Sequence, residues 1–168
     1  MACETIKTLS VISDVTVQKV AELTIPAPTG VTVDPTTGAL SLAVTATVTG
    51  PPVLNATVLP NKVVNFGFAP ASITVAGVAT PIALFLPIQH ETDVAGAQPG
   101  DEVEEFSTLE GTVVYGFPVA AIGTLPAGNN LVVKAVFKVR IIVSRLSLVA
   151  VQTCPPPGIV GPITPPTV

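Results

Sequence analysis

Prolines and glycines interrupt this chain so often that long regular helices have little room. Eighteen prolines and 13 glycines are spread over 168 residues, and the runs between them either alternate between apolar and polar residues or are continuously apolar. A proline inside a helix removes a backbone hydrogen bond and clashes with the preceding turn, whereas strands joined by turns tolerate such punctuation at their ends. The spacing predicts many short strands in an all-β fold, an antiparallel β-sandwich of jelly-roll type. The apolar side chains are chiefly Val, Ala, Leu and Ile, with six Phe, one Tyr and no Trp. The β-branched ones among them are stiff at χ1 and pack well on a pleated surface.

Particular segments carry this expectation. In Leu40–Thr49, residues Leu40, Leu42, Val44, Ala46 and Val48 share one face and mainly Ser and Thr share the other, which predicts a half-buried strand. Pro35-Thr36-Thr37-Gly38 in front of it has the residues of a turn, so 31–48 reads as a hairpin. Val75–Ile88, broken by Pro81 and Pro87, reads as two buried strands. In 130–149 the odd positions Leu131, Val133, Ala135, Phe137, Val139, Ile141 and Val143 are all apolar, while Lys134, Lys138 and Arg140 fall on the other face. Glu4–Val20 is rich in Thr, Val and Ile and is expected to be extended rather than helical. After Cys154 the chain is dominated by proline, which suits a polyproline-like tail outside any sheet. The expected organisation is an extended N-terminal arm over 1–25, a β-sandwich over 26–153 and a Pro-rich tail over 154–168.

Only 11% of residues are charged, against about 25% in an average soluble domain, and mean hydropathy is +0.70. Yet Val75–Ile88, the longest apolar stretch, is shorter than the roughly 20 residues of a membrane-spanning helix. A surface so poor in charge suits a subunit covered by copies of itself. Net charge is −4 and the bases form no long run, so nucleic acid is not an expected partner, and neither is a membrane. The start, Met1-Ala2-Cys3-Glu4-Thr5-Ile6-Lys7, lacks the basic and then uninterrupted apolar pattern of a Sec signal peptide. Synthesis in a cytoplasm is expected.

Candidate chemistry is sparse. His90, the single histidine, has only Glu91 and Asp93 as company, too few ligands for a metal site, and reads as a solvated loop residue. No nucleophile-elbow pattern supports a Ser/His/Asp triad. The acidic stretch Asp101, Glu102, Glu104 and Glu105 offers paired carboxylates, but sugar chemistry usually also needs aromatic platforms, EF-hand spacing is absent, and a solvated loop leading into a strand is the simpler reading. Asn55-Ala56-Thr57 matches a glycosylation sequon, which without a signal peptide reads as chance. No catalytic residue, metal or cofactor is expected. Seven of the 11 acids lie between Glu91 and Glu110 and four of the seven bases between Lys134 and Arg145. Asp101, Glu102, Glu104 and Glu105 could therefore pair with Lys134, Lys138 and Arg140 across strands or between subunits. Cys3 and Cys154 admit three readings: one internal disulfide, two free thiols, or bridges between subunits.

One resemblance is carried by particular residues. The stretch from about Pro60 to Leu148 contains Asn61-Lys62-Val63-Val64-Asn65-Phe66-Gly67, Pro87-Ile88-Gln89-His90-Glu91-Thr92, Gly96-Ala97-Gln98-Pro99-Gly100-Asp101-Glu102-Val103 and the 132–143 strand. It resembles the SPOCS domain, a β-rich module of endospore coat and surface proteins in spore-forming Firmicutes. The resemblance implies a structural, assembling protein without catalytic residues, whose partners are its own copies and other spore-surface proteins. It also implies a surface that is made in the cytoplasm and later becomes exposed and oxidising, where Cys3 or Cys154 would cross-link neighbours. The expectation is thus a self-assembling subunit of a filament, appendage or lattice on a spore or cell surface. The N-terminal arm would join copies by strand addition. A surface binding module or adhesin and a phage or virus shell protein are the alternatives.

Overall fold

Period-two alternation is the rule that builds this protein. The computed structural model describes residues 3–120 and 128–152. These form seven strands: β1 (Cys3–Pro26), β2 (Val44–Val48), β3 (Val53–Leu59), β4 (Lys62–Val75), β5 (Ile82–Asp93), β6 (Glu102–Val119) and β7 (Gly128–Gln152). In β7, all seven odd positions from Leu131 to Val143 are buried, as the sequence predicts. In β1, Val15, Val17, Lys19, Ala21, Leu23 and Ile25 face inward and alternate with exposed Asp14, Thr16, Gln18, Val20, Glu22 and Thr24. Such alternation marks a strand with one face on a core.

The strands form one antiparallel sheet, in the order β2-β4-β5-β1-β7-β6, with β3 also paired to β4. Over residues 11–145, one of two compact units, this sheet curls until β6 meets β2, where Thr112 Oγ1 donates to the carbonyl of Ala46 at 2.8 Å. The result is a nearly closed barrel in place of the two facing sheets of a sandwich. Closure follows from the strong twist of long strands, which lets the two edges of one sheet approach each other. The interior is packed with Val63, Ala69, Ile73, Leu86, Ile88, Val133, Phe137, Val139 and Ile141 among others. A second cluster of Val31, Val33, Val75 and Leu131 packs with Leu40 and Leu42. The other unit contains, among the described residues, 3–10 and 146–152. In it, Ser10 and Ser147 hydroxyls lie 2.9 Å apart.

Three expectations change. Of the expected 1–25 arm, the described residues from Cys3 onward are extended, but 11–26 are a strand of the sheet between β5 and β7, with Ala21 paired to Ile88, and not an arm outside it. The strands are also longer than the proline spacing suggested, because proline is accommodated within them. Pro70 lies in β4, and its carbonyl accepts from the Thr49 N–H at 2.9 Å. Its missing N–H therefore points at the Thr49–Pro52 break between β2 and β3, where no ladder needs it. The predicted hairpin at 31–48 is reduced to a turn with the isolated bridge Val33↔Leu40. Asp34 accepts from the N–H groups of Thr36 and Thr37 there, an Asx arrangement, and Gly38 takes φ 71°. The 154–168 tail and Cys154 lie outside the described residues. Among the described residues there is no helix, and so none long and apolar enough to cross a membrane.

One close approach tests the fold. β3 passes so near β4 that a Cβ on Gly67 would lie 1.9 Å from the carbonyl oxygen of Val53. The obstacle is backbone, so it cannot rotate away. Gly67→Ala should cost on the order of 1–3 kcal/mol as overpacking, measured by urea unfolding, whereas Gly111→Ala, with open space at that position, should stay within about 1 kcal/mol of wild type, since Gly in a strand costs only about that much.

Candidate functional site

Three polar side chains occupy inward-facing positions that alternation would normally give to apolar ones. Lys19 of β1 and Asn65 of β4 are fully buried, and the side chain of Glu105 of β6 is 11% exposed. The Lys19 Nζ donates to Asn65 Oδ1 at 2.6 Å and to Glu105 Oε1 at 2.7 Å. Val15, Val17, Ala21 and Leu23 on β1, Val63 and Ala69 on β4 and Val103 on β6 border these residues along their own strands. Burial pulls Lys19 below the ordinary lysine range, and the Glu105 hydrogen bond and charge oppose that pull. A buried amine that loses its proton easily is a nucleophile.

The satisfaction of this cluster is incomplete. Asn65 Nδ2 and Thr92 Oγ1 are buried without a hydrogen-bond partner, a situation that costs about 1–3 kcal/mol per group. His90 of β5 pairs in register with Asn65. It faces inward and is half-buried, so it is not the solvated loop residue expected. Burial holds its pKa below 6.5; the charge of Lys19 pushes in the same direction and that of Glu105 against it.

A groove reaches the cluster from outside. β3 has no ladder partner but β4, and β6 none but β7, among the described residues. Between these two free edges lies a groove of about 490 Å³ lined by Leu54, Ala56, Val58, Asp101, Val103, Glu105 and Ser107. Glu105 connects the groove to Lys19.

The predicted charge pairing is redistributed. Asp101 binds Arg145 with both carboxylate oxygens, at 2.7 and 2.8 Å, and Glu105 binds Lys19. Lys134 and Arg140 instead reach the opposite neighbour of β7, pairing with Glu22 and Asp14 of β1. The register explains this, since β6 places Phe106 opposite Arg140, Thr108 opposite Lys138 and Val113 opposite Lys134. Glu102, Glu104 and Lys138 have no ion pair among the described residues. Cys3 begins β1. No group of three or more metal-ligating side chains occurs among the described residues.

Lys19 and Asn65 were not singled out by sequence, although a signal was present. Lys19 is in phase with Val15, Val17, Ala21, Leu23 and Ile25, and Asn65 with Val63, Ala69, Ala71 and Ile73. A polar residue at the apolar phase of a strand is the mark of an interior polar site. No family model, curated protein or solved structure matches this chain.

The depressed pKa of His90 gives a stability signature. Between the folded value and the ordinary 6.5 the unfolded chain binds more protons than the folded one, so stability is complete above about pH 6.5 and falls as pH drops through the folded value. The carboxylates held low by partners, Asp14, Asp34, Glu91 and Asp101, start from ordinary values of 3.8 to 4.5 and act only at lower pH. Thermal melts from pH 8 to 5 should show a declining midpoint for wild type and a flatter profile for His90→Gln.

Proposed function

We propose that the protein is a self-assembling structural subunit of a surface filament, appendage or lattice, whose copies cover one another's apolar outer faces. The observation that carries this reading is an aromatic patch on the outside of the barrel. On β4, Phe66 and Phe68 point outward, 53% and 37% exposed, and on β5 Phe85 is 65% exposed. The register sets Pro70 opposite Phe85 and Pro87 opposite Phe68, and the Phe68 and Phe85 rings meet edge to face with centroids 5.2 Å apart. Val53 of β3, paired with Phe68, adds a further 50% exposed side chain.

A barrel that already has a filled interior gains nothing from aromatic rings held outward in water, and such patches on monomers are typically interaction sites. The low charge of the whole chain supports the same reading. Outward apolar side chains continue on β6, at Phe106, Val113, Tyr115 and Phe117, so more than one face is available for a lattice or filament. The resemblance of 60–148 to SPOCS modules favours a spore surface as the setting and other coat proteins as additional neighbours. Strand addition by the N-terminal segment narrows to residues 3–10, because 11–26 are held within the barrel sheet. Cross-linking through Cys3 and Cys154 suits the same setting.

Negative-stain microscopy and sedimentation velocity test the reading. Wild type should form ordered polymers or discrete large oligomers. Phe85→Lys, which places a charge in the middle of the patch without touching the interior, should shift the population to monomer by tenfold or more at equal concentration. A wild-type protein that stays monomeric at high concentration, with and without reductant, would remove the proposal.

A further inference from the structure

We propose that Lys19 and Asn65 become joined by an intramolecular isopeptide bond, with Glu105 as the proton-transfer group. The inference stands on the interior cluster alone and is independent of how copies assemble. An amine, a carboxamide and a carboxylate converge in an interior site bordered by apolar side chains. Lys19 Nζ sits 2.6 Å from Asn65 Oδ1, which places it within about 3.8 Å of the carbonyl carbon by the length of a C=O bond, close to the separation of a reactive pair.

The surroundings of each partner favour the reaction. Burial favours the neutral amine of Lys19, and the 2.7 Å hydrogen bond to Glu105 provides the path along which the ammonium proton leaves. The leaving group is also prepared: Asn65 Nδ2 makes no hydrogen bond, so its departure breaks none. Glu105 lines the outer groove, which gives ammonia an exit.

The steps balance without any other reagent. Glu105 takes a proton from the Lys19 ammonium, and the neutral amine attacks Asn65 Cγ, forming the C–N bond as the carbonyl electrons move to Oδ1. Glu105 then removes a second proton from Nζ as it gives its own to Nδ2. The carbonyl re-forms, the Cγ–Nδ2 bond breaks and ammonia leaves. Of the three protons on the original ammonium, one stays on the new amide, one completes ammonia and the third leaves with it as ammonium, so Glu105 ends as a carboxylate. No atom changes oxidation state. The product has no buried cation and no orphaned amide NH₂.

An ordinary buried ion pair is the competing reading, and mass distinguishes the two. Intact-mass spectrometry of the folded, full-length protein should show a loss of one ammonia relative to the sequence. Proteolytic mapping should recover one branched fragment joining the Lys19 and Asn65 segments, with no tryptic cleavage after Lys19. Asn65→Asp should lose one water in place of ammonia, and Glu105→Gln, checked for folding by circular dichroism, should keep the full unlinked mass. An unmodified mass for the folded wild type, or an ammonia loss that maps to any other residue, overturns the proposal. A Glu105→Gln protein that is fully cross-linked overturns the role given to Glu105.

Discussion

β7 is the strand on which the rest of the sheet depends. It pairs with β6 from Gly128 to Ser144 and neighbours β1 on its other edge. Seven successive inward side chains, Leu131 to Val143, are buried on its core face, each worth about 1.5–3 kcal/mol for the larger ones before conformational entropy is subtracted. Its outward face carries Lys134 and Arg140, which pair with Glu22 and Asp14 of β1. These pairs are exposed and contribute little energy. What they supply is position, because a slip of one residue between β1 and β7 would turn Lys19 out of the interior.

Much of the fold was legible because burial in a sheet imposes a period of two. The 130–149 alternation located the core face of β7 to the residue, and the β-branched composition excluded helices from the described parts of the chain. Prolines misled about length. Pro70 sits within β4 because the break between β2 and β3 leaves no ladder that needs the N–H it lacks. Closure of one sheet against itself was not legible either, since the contact of Thr112 with Ala46 joins segments that carry no shared local pattern.

The interior site was missed for a related reason. Lys134, Lys138 and Arg140 stand out because charge clusters are visible in a linear sequence, but Lys134 and Arg140 find their partners on β1, not on the acidic β6. Lys19 is an ordinary-looking residue 86 positions from its partner Glu105, and only its strand phase betrays it. Polar neighbours surround His90 in sequence and suggest a loop. In the sheet, every second residue of that stretch, Ile88, His90 and Thr92, faces the interior.

The position of β1 also governs how the chain reaches its native state. Among the described residues the sheet neighbours of the first strand are β5 and β7, so it is made first and secured last. During synthesis Val15, Val17, Leu23 and Ile25 remain without their core, and pairing β1 with β7 closes a loop that spans most of the chain. Topologies dominated by such distant pairings fold slowly, in milliseconds to seconds, and expose unpaired edges while they wait.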